Sequence, residues 1–132
     1  MEIRHISLST DYPRYVQWWK FWRFPPPPQE CLPAFGRELF ALNDHICAAW
    51  IYHDKTAPIA WLEWIVSNPH VEREVRNVGL DHLIDCMCDE AKTIGVNVIF
   101  TSVKNAALIN RLEKLDFKKG DDGVTQYVRR IA

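Results

Sequence analysis

The fold is decided by one stretch of the sequence, IAWLEWIVSNPHVEREVRNVGLDHLIDCMCDEAKTIGVNVIFTSVKNAALINRLEKLDF, which occupies residues 59–117. Its first part, Ile59–Val66, is apolar, β-branched and aromatic, which predicts a buried strand. A polar loop, Ser67–Arg76, follows it. Apolar residues spaced three and four apart then predict a helix over residues 78–94.

The second half of the stretch repeats this order. Residues 97–103 are again apolar and predict another strand, and Asn105 is a suitable cap for a helix that ends near Leu115. Two strands joined by a crossover helix form a βαβ unit, in which the strands run parallel.

The rest of the chain predicts an antiparallel sheet around this unit. A stiff proline run, Pro25–Pro28, ends the first helix. The elements predicted outside 59–117 are strands over 2–8, 38–42 and 45–52, a helix capped by Ser9–Asp11, and a final hairpin of 117–119 and 124–131 around Gly120–Gly123. We therefore expect an α/β (α+β) fold in one domain, 1–132, with a mixed central sheet flanked by helices. The front of this sheet is antiparallel and its join across the crossover helix is parallel.

The composition excludes some classes of protein. The chain has 132 residues and a formal net charge of −1, so it lacks the basic field with which nucleic-acid binders attract phosphates. No apolar run approaches the roughly 20 residues of a membrane-spanning helix, and the N-terminus has no apolar signal core. We expect a soluble, cytoplasmic protein with no nucleic-acid or membrane partner.

The cysteines are expected to be free thiols, because disulfides are rare in intracellular proteins. His82 and Cys86 lie four residues apart and share a helix face. Two ligands alone make a poor metal site, so we expect no metal.

The βαβ segment resembles the GNAT superfamily of acyl-CoA-dependent N-acetyltransferases. The resemblance rests on the strand end and loop Trp64–Pro69, the motif Arg76–Asp81 (Arg-Asn-Val-Gly-Leu-Asp) and the segment Asn105–Phe117 (Asn-Ala-Ala-Leu-Ile-Asn-Arg-Leu-Glu-Lys-Leu-Asp-Phe). It covers about half of the chain specifically, and the order of the elements extends it over nearly all of it.

The resemblance implies a transfer of the acetyl group from acetyl-CoA, the cosubstrate, to an amine on a small molecule or peptide. Acetyl-CoA would enter a V-shaped gap between the two parallel strands. The residues implied in binding it are Ile65 and Val66, whose backbone would pair with pantetheine, the backbone amides of Arg76, Asn77, Val78, Gly79 and Leu80 for the pyrophosphate, and Asn105.

Three departures from the family pattern bear on catalysis. Asp81 stands where the motif usually has glycine or alanine, in what we expect to be the first turn of the helix. Leu112 occupies the position of a tyrosine that often protonates the departing thiolate. The loop before Arg76 is also longer than is common in the family.

Glu63 is the candidate general base, because burial among aromatic residues would raise its pKa toward the useful range. The alternative is an outward-facing, solvated Glu63, and His45 and His53 are further candidates near strand ends. Tyr127, on the predicted final hairpin, is the candidate acid that replaces the missing tyrosine.

The aromatic residues of the front half suggest how the acceptor is bound. Trp18, Trp22, Phe24 and Trp50 predict an acceptor pocket richer in ring faces than in charge, and they also supply apolar area for a homodimer. The competing hypotheses are a GNAT-like protein that binds a partner or acyl-CoA without turnover, and an unrelated small α/β interaction module.

Overall fold

The computed structural model describes residues Met1–Ala132. The chain forms two compact units, Met1–Ser102 and Val103–Ala132. The single domain expected for 1–132 stays a prediction.

The first unit is built on a five-stranded sheet. Its strands lie in the order of the sequence: β1 (Glu2–His5), β2 (Gly36–Ala41), β3 (Asp44–His53), β4 (Ile59–Ser67) and β5 (Val98–Phe100). Strands β1 to β4 pair antiparallel, whereas β5 pairs parallel to β4. The predicted mixed sheet with a parallel βαβ join is therefore confirmed.

Two helices cover the two faces of this sheet, α1 (Leu8–Phe21) and α2 (Arg73–Thr93). The core beneath α1 contains Ala48 and Trp50 of β3. Helix α2 lies on the opposite face, where Gly79 approaches Leu39 and Cys47. A single 3₁₀ turn, Gln29–Cys31, follows the prolines.

Helix α1 begins earlier than the predicted cap at Ser9–Asp11. Ser7 occupies the N-cap position, and its backbone N–H donates to the Asp11 carboxylate at 2.9 Å. The face that α1 buries includes Trp18, which is only 4% exposed. Trp18 and Trp50 thus belong to the core, which corrects their expected place in an acceptor pocket.

A buried carboxylate ties α1 to the sheet. Glu38 of β2 is 3% exposed and accepts hydrogen bonds from the Tyr15 hydroxyl at 2.6 Å and from Arg14 at 2.8 Å. Nδ1 of His45 lies 2.7 Å from its other oxygen. Burial, and then the hydrogen bond to Glu38, raises the pKa of Tyr15, so that this hydroxyl stays a donor.

Helix α2 begins at Arg73 rather than at Val78. The backbone N–H of Arg76 already donates to the Glu72 carbonyl at 3.0 Å. Arginine and glutamate are good helix formers, so the polar composition of this segment was no evidence for a loop. The polar loop expected over Ser67–Arg76 is therefore shorter, and Asp81 lies two turns inside the helix rather than in its first turn.

The second unit contains one helix, α3 (Ala106–Lys114). The Asn105 side chain caps it by accepting hydrogen bonds from the amides of Ala107 at 2.8 Å and Leu108 at 3.2 Å, as predicted. The prediction of a final hairpin is wrong, because residues 115–132 form no strand. A two-stranded hairpin with a three-residue first strand has too few cross-strand pairs to be stable alone.

Gly79 tests the helix–sheet contact. A Cβ at this position would lie 2.8 Å from Ile46 Cγ2 and 2.8 Å from Leu39 Cδ2. We expect Gly79→Ala to lower the free energy of unfolding by about 1–3 kcal/mol, because overpacking outweighs the better helix propensity of alanine.

Urea denaturation measures this change. The matched control is Gly120→Ala, whose Cβ meets nothing within 4 Å and should change stability by less than about 0.5 kcal/mol. Equal stabilities of the two variants would show that α2 packs on the sheet differently.

Candidate active site

The central feature of the site is a β-bulge in β4. Ala48 pairs with Val66 and Trp50 pairs with Glu63, so two residues of β4, Trp64 and Ile65, lie opposite one residue of β3. Trp64 has a φ of 62°, a left-handed conformation that a bulky side chain rarely adopts. Bulges of this kind redirect a strand and are frequent beside active sites.

The parallel ladder between β4 and β5 is short, because β5 spans only Val98–Phe100. Their ladder contains three pairs and ends where Trp61 lies opposite Phe100. The Thr101 hydroxyl then donates to the Leu62 carbonyl at 2.7 Å. From there β4 continues to Ser67 with no strand on its β5 side. A strand edge is thus presented to a ligand that can pair with backbone groups.

The Trp64 side chain is held on the α1 face of the sheet. Its indole Nε1 donates to the Tyr52 hydroxyl at 2.8 Å, and that hydroxyl donates to the Cys31 carbonyl at 2.5 Å. The Phe24 ring lies edge-on with its centroid 6.1 Å from that of Trp64. Strained backbone persists only where its surroundings fix it, and these contacts supply that constraint.

Glu63 lies next to the bulge and is half-buried. Its pairing with Trp50 directs the side chain to the α1 face. Burial alone raises the pKa of this carboxyl group. The geometry thus favours a desolvated Glu63 over a fully solvated one, although its catalytic role stays a prediction.

The alternative bases are less suited to the chemistry. Nδ1 of His45 is already engaged by Glu38. His53 is exposed at the end of β3.

The turn between β4 and α2 is fixed by a buried amide and an indole. Asn68 is 7% exposed, donates to the His45 carbonyl at 2.8 Å and accepts from the His70 amide at 3.0 Å. Trp22 Nε1 donates to the Ser67 carbonyl at 2.9 Å, and the Arg76 guanidinium lies over the Trp22 ring at 5.5 Å. The end of α1 and the start of α2 are therefore held beside the end of β4.

The residues predicted for cofactor binding in the first unit fall into two groups. Ile65 and Val66 lie on β4 within and just after the bulge. The group Arg76–Leu80 lies inside α2, where backbone amides are used by the helix, and Gly79 and Leu80 are buried. The unpaired amides at this helix start are instead those of residues 73–75.

The remaining predicted residues belong to the second unit. Asn105 uses its side-chain oxygen to cap α3. Leu112 is buried, and the Tyr127 side chain is 89% exposed in the strand-free C-terminal segment.

None of the four cysteines forms a disulfide, and no group of three or more His, Cys, Asp and Glu side chains has the geometry to hold a metal ion. Burial raises the pKa of Cys88 to about 11, so this thiol stays protonated at neutral pH. None of the helices is long and apolar enough to cross a bilayer.

Solved structures that superpose on this chain include acetyltransferases and a protein described as a transcriptional regulator. The ribosomal-protein-S18-alanine N-acetyltransferase from Escherichia coli superposes with a TM-score of 0.71 at 22% identity, over 91% of this chain and 79% of that chain. An aminoglycoside N-acetyltransferase, AAC(6')-Iy, in complex with CoA superposes with a TM-score of 0.69 at 19% identity, over 98% and 100%. A transcriptional regulator from Bacillus halodurans C-125 gives 0.70 at 12% identity, over 96% and 99%.

These similarities define the class of fold. The mixed sheet, the parallel βαβ join and the neighbours together confirm the GNAT fold that the sequence resembled. No protein-family model matches the sequence, and no curated protein matches it at sequence level. These structures are less than 25% identical to the chain, so the similarity establishes the fold alone. The activity has to be inferred from the residues of the site.

The sequence predicts no role for Tyr52 or Asn68 in the site. Nothing in the sequence marks Tyr52 as the partner of Trp64, because the two lie on different strands. Asn68 had a weak signal, since an Asn-Pro pair favours a turn.

Tyr52 provides a test of how the bulge is held. We expect Tyr52→Phe to lower the free energy of unfolding by about 1 kcal/mol, because the Trp64 indole N–H loses its acceptor and the Cys31 carbonyl loses its donor, while the ring packing is kept. Chemical denaturation measures the effect. Tyr127→Phe removes an exposed hydroxyl and should change stability by less than about 0.5 kcal/mol. A Tyr52→Phe variant as stable as Tyr127→Phe would show that the hydrogen bond does not hold Trp64.

Proposed function

We propose that the protein transfers the acetyl group of acetyl-CoA to the nitrogen of an amine. The observation that carries this proposal is the edge of β4 that stays unpaired beyond the end of β5, at a bulge and directly beside a carboxylate with a raised pKa. The edge of β4 offers backbone groups to an extended ligand, and Glu63 offers a base. The CoA complex of one structural neighbour is consistent with such a ligand.

The pantetheine arm would lie along the edge of β4 that stays unpaired beyond the end of β5. Backbone groups of Ile65 and Val66 would pair with its amides, as an added strand pairs with a sheet edge. A backbone N–H of the same residues would stabilise the oxyanion formed at the acetyl carbonyl. The bulge matters because it turns this part of the edge away from the regular ladder.

The pyrophosphate would lie at the start of α2. The amides of residues 73–75 have no partners in the helix, and its dipole favours an anion. The side chains of Arg73 and Arg76 add positive charge there. Among the residues Arg76–Leu80, which the sequence predicted to bind the pyrophosphate, Arg76 and Asn77 remain candidates for binding it through their side chains. Val78, Gly79 and Leu80 lie deeper in α2, and Asn105 remains a candidate on the second unit.

The chemistry requires a base and an acid. Acetyl-CoA would supply a thioester activated for attack by a neutral amine. Glu63 would take the proton that the amine loses as the N–C bond forms and the C–S bond breaks. The departing thiolate takes up a proton, which Leu112 cannot supply, and Tyr127 as its donor stays a prediction from the sequence. The cytoplasmic location and a homodimer stay predictions.

A second candidate function is acyl-CoA binding without turnover. Leu112 in place of a tyrosine favours it, and one structural neighbour is described as a transcriptional regulator. Such a protein would bind acetyl-CoA but release no thiol with any amine.

Ligand-dependent melting tests the cofactor site first. Acetyl-CoA at about 100 times its dissociation constant should stabilise the protein by roughly 2.7 kcal/mol, because it binds only the folded state. For a chain of this size the melting temperature should rise by several degrees. ATP is the control for phosphate binding alone. No rise with acetyl-CoA, or an equal rise with ATP, would contradict the proposed site.

Glu63→Gln tests the base. We expect kcat to fall by about 10²–10⁴-fold, the usual contribution of a general base. Burial raises the pKa of Glu63, so wild-type kcat/KM should rise with pH through a value above that of an ordinary glutamate. The variant should lack this rise. Thiol release measured across pH gives both results.

Two controls separate catalysis from folding. Above the raised pKa the folded state bears the cost of a desolvated charge, so Glu63→Gln should melt no lower than wild type at pH 7. Glu2→Gln, on β1 at the opposite edge of the sheet, should leave the rate unchanged. A Glu63→Gln variant with the wild-type rate and pH profile would remove Glu63 as the base.

A further inference from the structure

Two aromatic rings form an exposed stacked pair on β4 and β5. The register places Trp61 opposite Phe100, and their centroids lie 6.0 Å apart with an interplanar angle of 27°. We call these two side chains the ring pair. Ile59 and Val98 form the preceding pair of partners that share this face.

The ring pair is not covered by the core of the first unit. Phe100 is 51% exposed and Trp61 is 38% exposed, whereas Trp19 and Trp50 on the same unit are 2% and 0% exposed. The core beneath α1 contains neither residue of the ring pair. Exposed apolar groups that cluster in this way are typical of binding surfaces.

The ring pair adjoins the proposed base. Trp61 and Glu63 are two residues apart on the regular part of β4, so their side chains leave the same face about 7 Å apart. Tyr52 of β3 pairs with Trp61 and borders the surface on the other side. An acceptor whose nitrogen reaches Glu63 therefore has the ring pair beneath the rest of its structure.

The charge on this surface limits the kind of acceptor. Glu63 is the only carboxylate among the side chains that the two strands direct to this face, which are Ile59, Trp61, Glu63, Trp64, Val66, Val98 and Phe100. A polycation would find one counter-charge here and would place its other charges against apolar rings. An amine on an aromatic body would stack on those rings and present its nitrogen to Glu63.

We propose that the ring pair is the acceptor subsite and that it selects an arylalkyl primary amine over polycationic amines. This inference rests on the proposed function, because it extends the same site outward from Glu63. The occupant is a small molecule or an aromatic end of a larger one, with a single amino group two or three bonds from the ring.

A panel of amines tests this selection by thiol release. The probes are 2-phenylethylamine, n-propylamine as its counterpart without a ring, and spermidine and kanamycin as polycations. We expect 2-phenylethylamine to exceed n-propylamine in kcat/KM by about tenfold, which corresponds to about 1.4 kcal/mol and lies within the range of an aromatic contact. A wild-type protein that prefers spermidine or kanamycin would overturn the proposal.

Variants locate the effect on the ring pair. Trp61→Ala and Phe100→Ala should each reduce the preference for 2-phenylethylamine toward one, and Trp61→Phe should retain most of it. The matched control is Phe40→Ala, which removes a ring from β2 and should leave the preference unchanged. Equal preferences in Trp61→Ala and Phe40→Ala would show that the ring is recognised elsewhere.

Separate readouts distinguish this inference from the proposed function. If acetyl-CoA raises the melting temperature of wild type and of Trp61→Ala equally, the cofactor site is intact. A lost preference for 2-phenylethylamine is then due to the acceptor subsite. If acetyl-CoA has no effect on wild type, the proposed function fails, and the ring pair is tested by direct binding of 2-phenylethylamine and n-propylamine in NMR titrations. Equal binding of the two would overturn the ring pair as a subsite.

Sedimentation velocity tests the competing occupant, a second copy of the chain. We expect the sedimentation coefficient to be the same for wild type and Phe100→Ala across protein concentrations. A wild-type dimer that Phe100→Ala dissociates would show that the ring pair is an interface and would overturn the subsite.

Discussion

The left-handed backbone of Trp64 is the constraint on which the site depends. It places two residues of β4 opposite one residue of β3, so the strand changes direction after Glu63. The parallel ladder to β5 ends shortly before this point, and β4 continues without a partner on that side. A tryptophan at a φ of 62° is unfavourable in isolation, and the hydrogen bond to Tyr52 together with the packing of Phe24 holds it there. The open strand edge, the desolvated Glu63 and the ring pair all lie around this one distortion.

The tryptophans of the chain serve two different purposes. Trp18, Trp19 and Trp50 are buried with Tyr15 and form the core between α1 and the sheet. Trp61 keeps an exposed ring face beside Glu63, while Trp22 donates its indole N–H to the Ser67 carbonyl. The exposed rings of the first unit therefore do not include Trp18 and Trp50, the two buried members of the set expected in an acceptor pocket. Composition reveals how many aromatic rings a chain has, whereas the burial of each ring depends on which side of its helix or strand it lies.

Much of the architecture could be predicted from local signals. The β-branched run of β4, the apolar spacing of α2 and the side-chain cap at Asn105 each depend on residues close in sequence, and the structure confirms them. The errors arise where local signals are weak. Arg73 and Glu74 are polar but helical, so α2 begins earlier than its apolar stripe, and this moves the unpaired amides from Arg76–Leu80 to residues 73–75. The prediction of a final hairpin was wrong because an isolated hairpin with one very short strand has too few cross-strand pairs to be stable.

The sequence by itself determined the order and type of the main elements, since periodicity and capping act over a few residues. It also predicted Glu63 as the candidate base, because a buried carboxylate within an aromatic strand is desolvated or paired. The role of Glu63 stays a prediction. Only the tertiary structure decided the bulge at Trp64, the unpaired edge of β4 beyond the end of β5 and the stacking of Trp61 on Phe100. These features arise from pairing between residues that are distant in the chain, and no local pattern specifies a register. The packing role of Gly79 has the same origin, because the atoms that exclude a Cβ belong to β2 and β3.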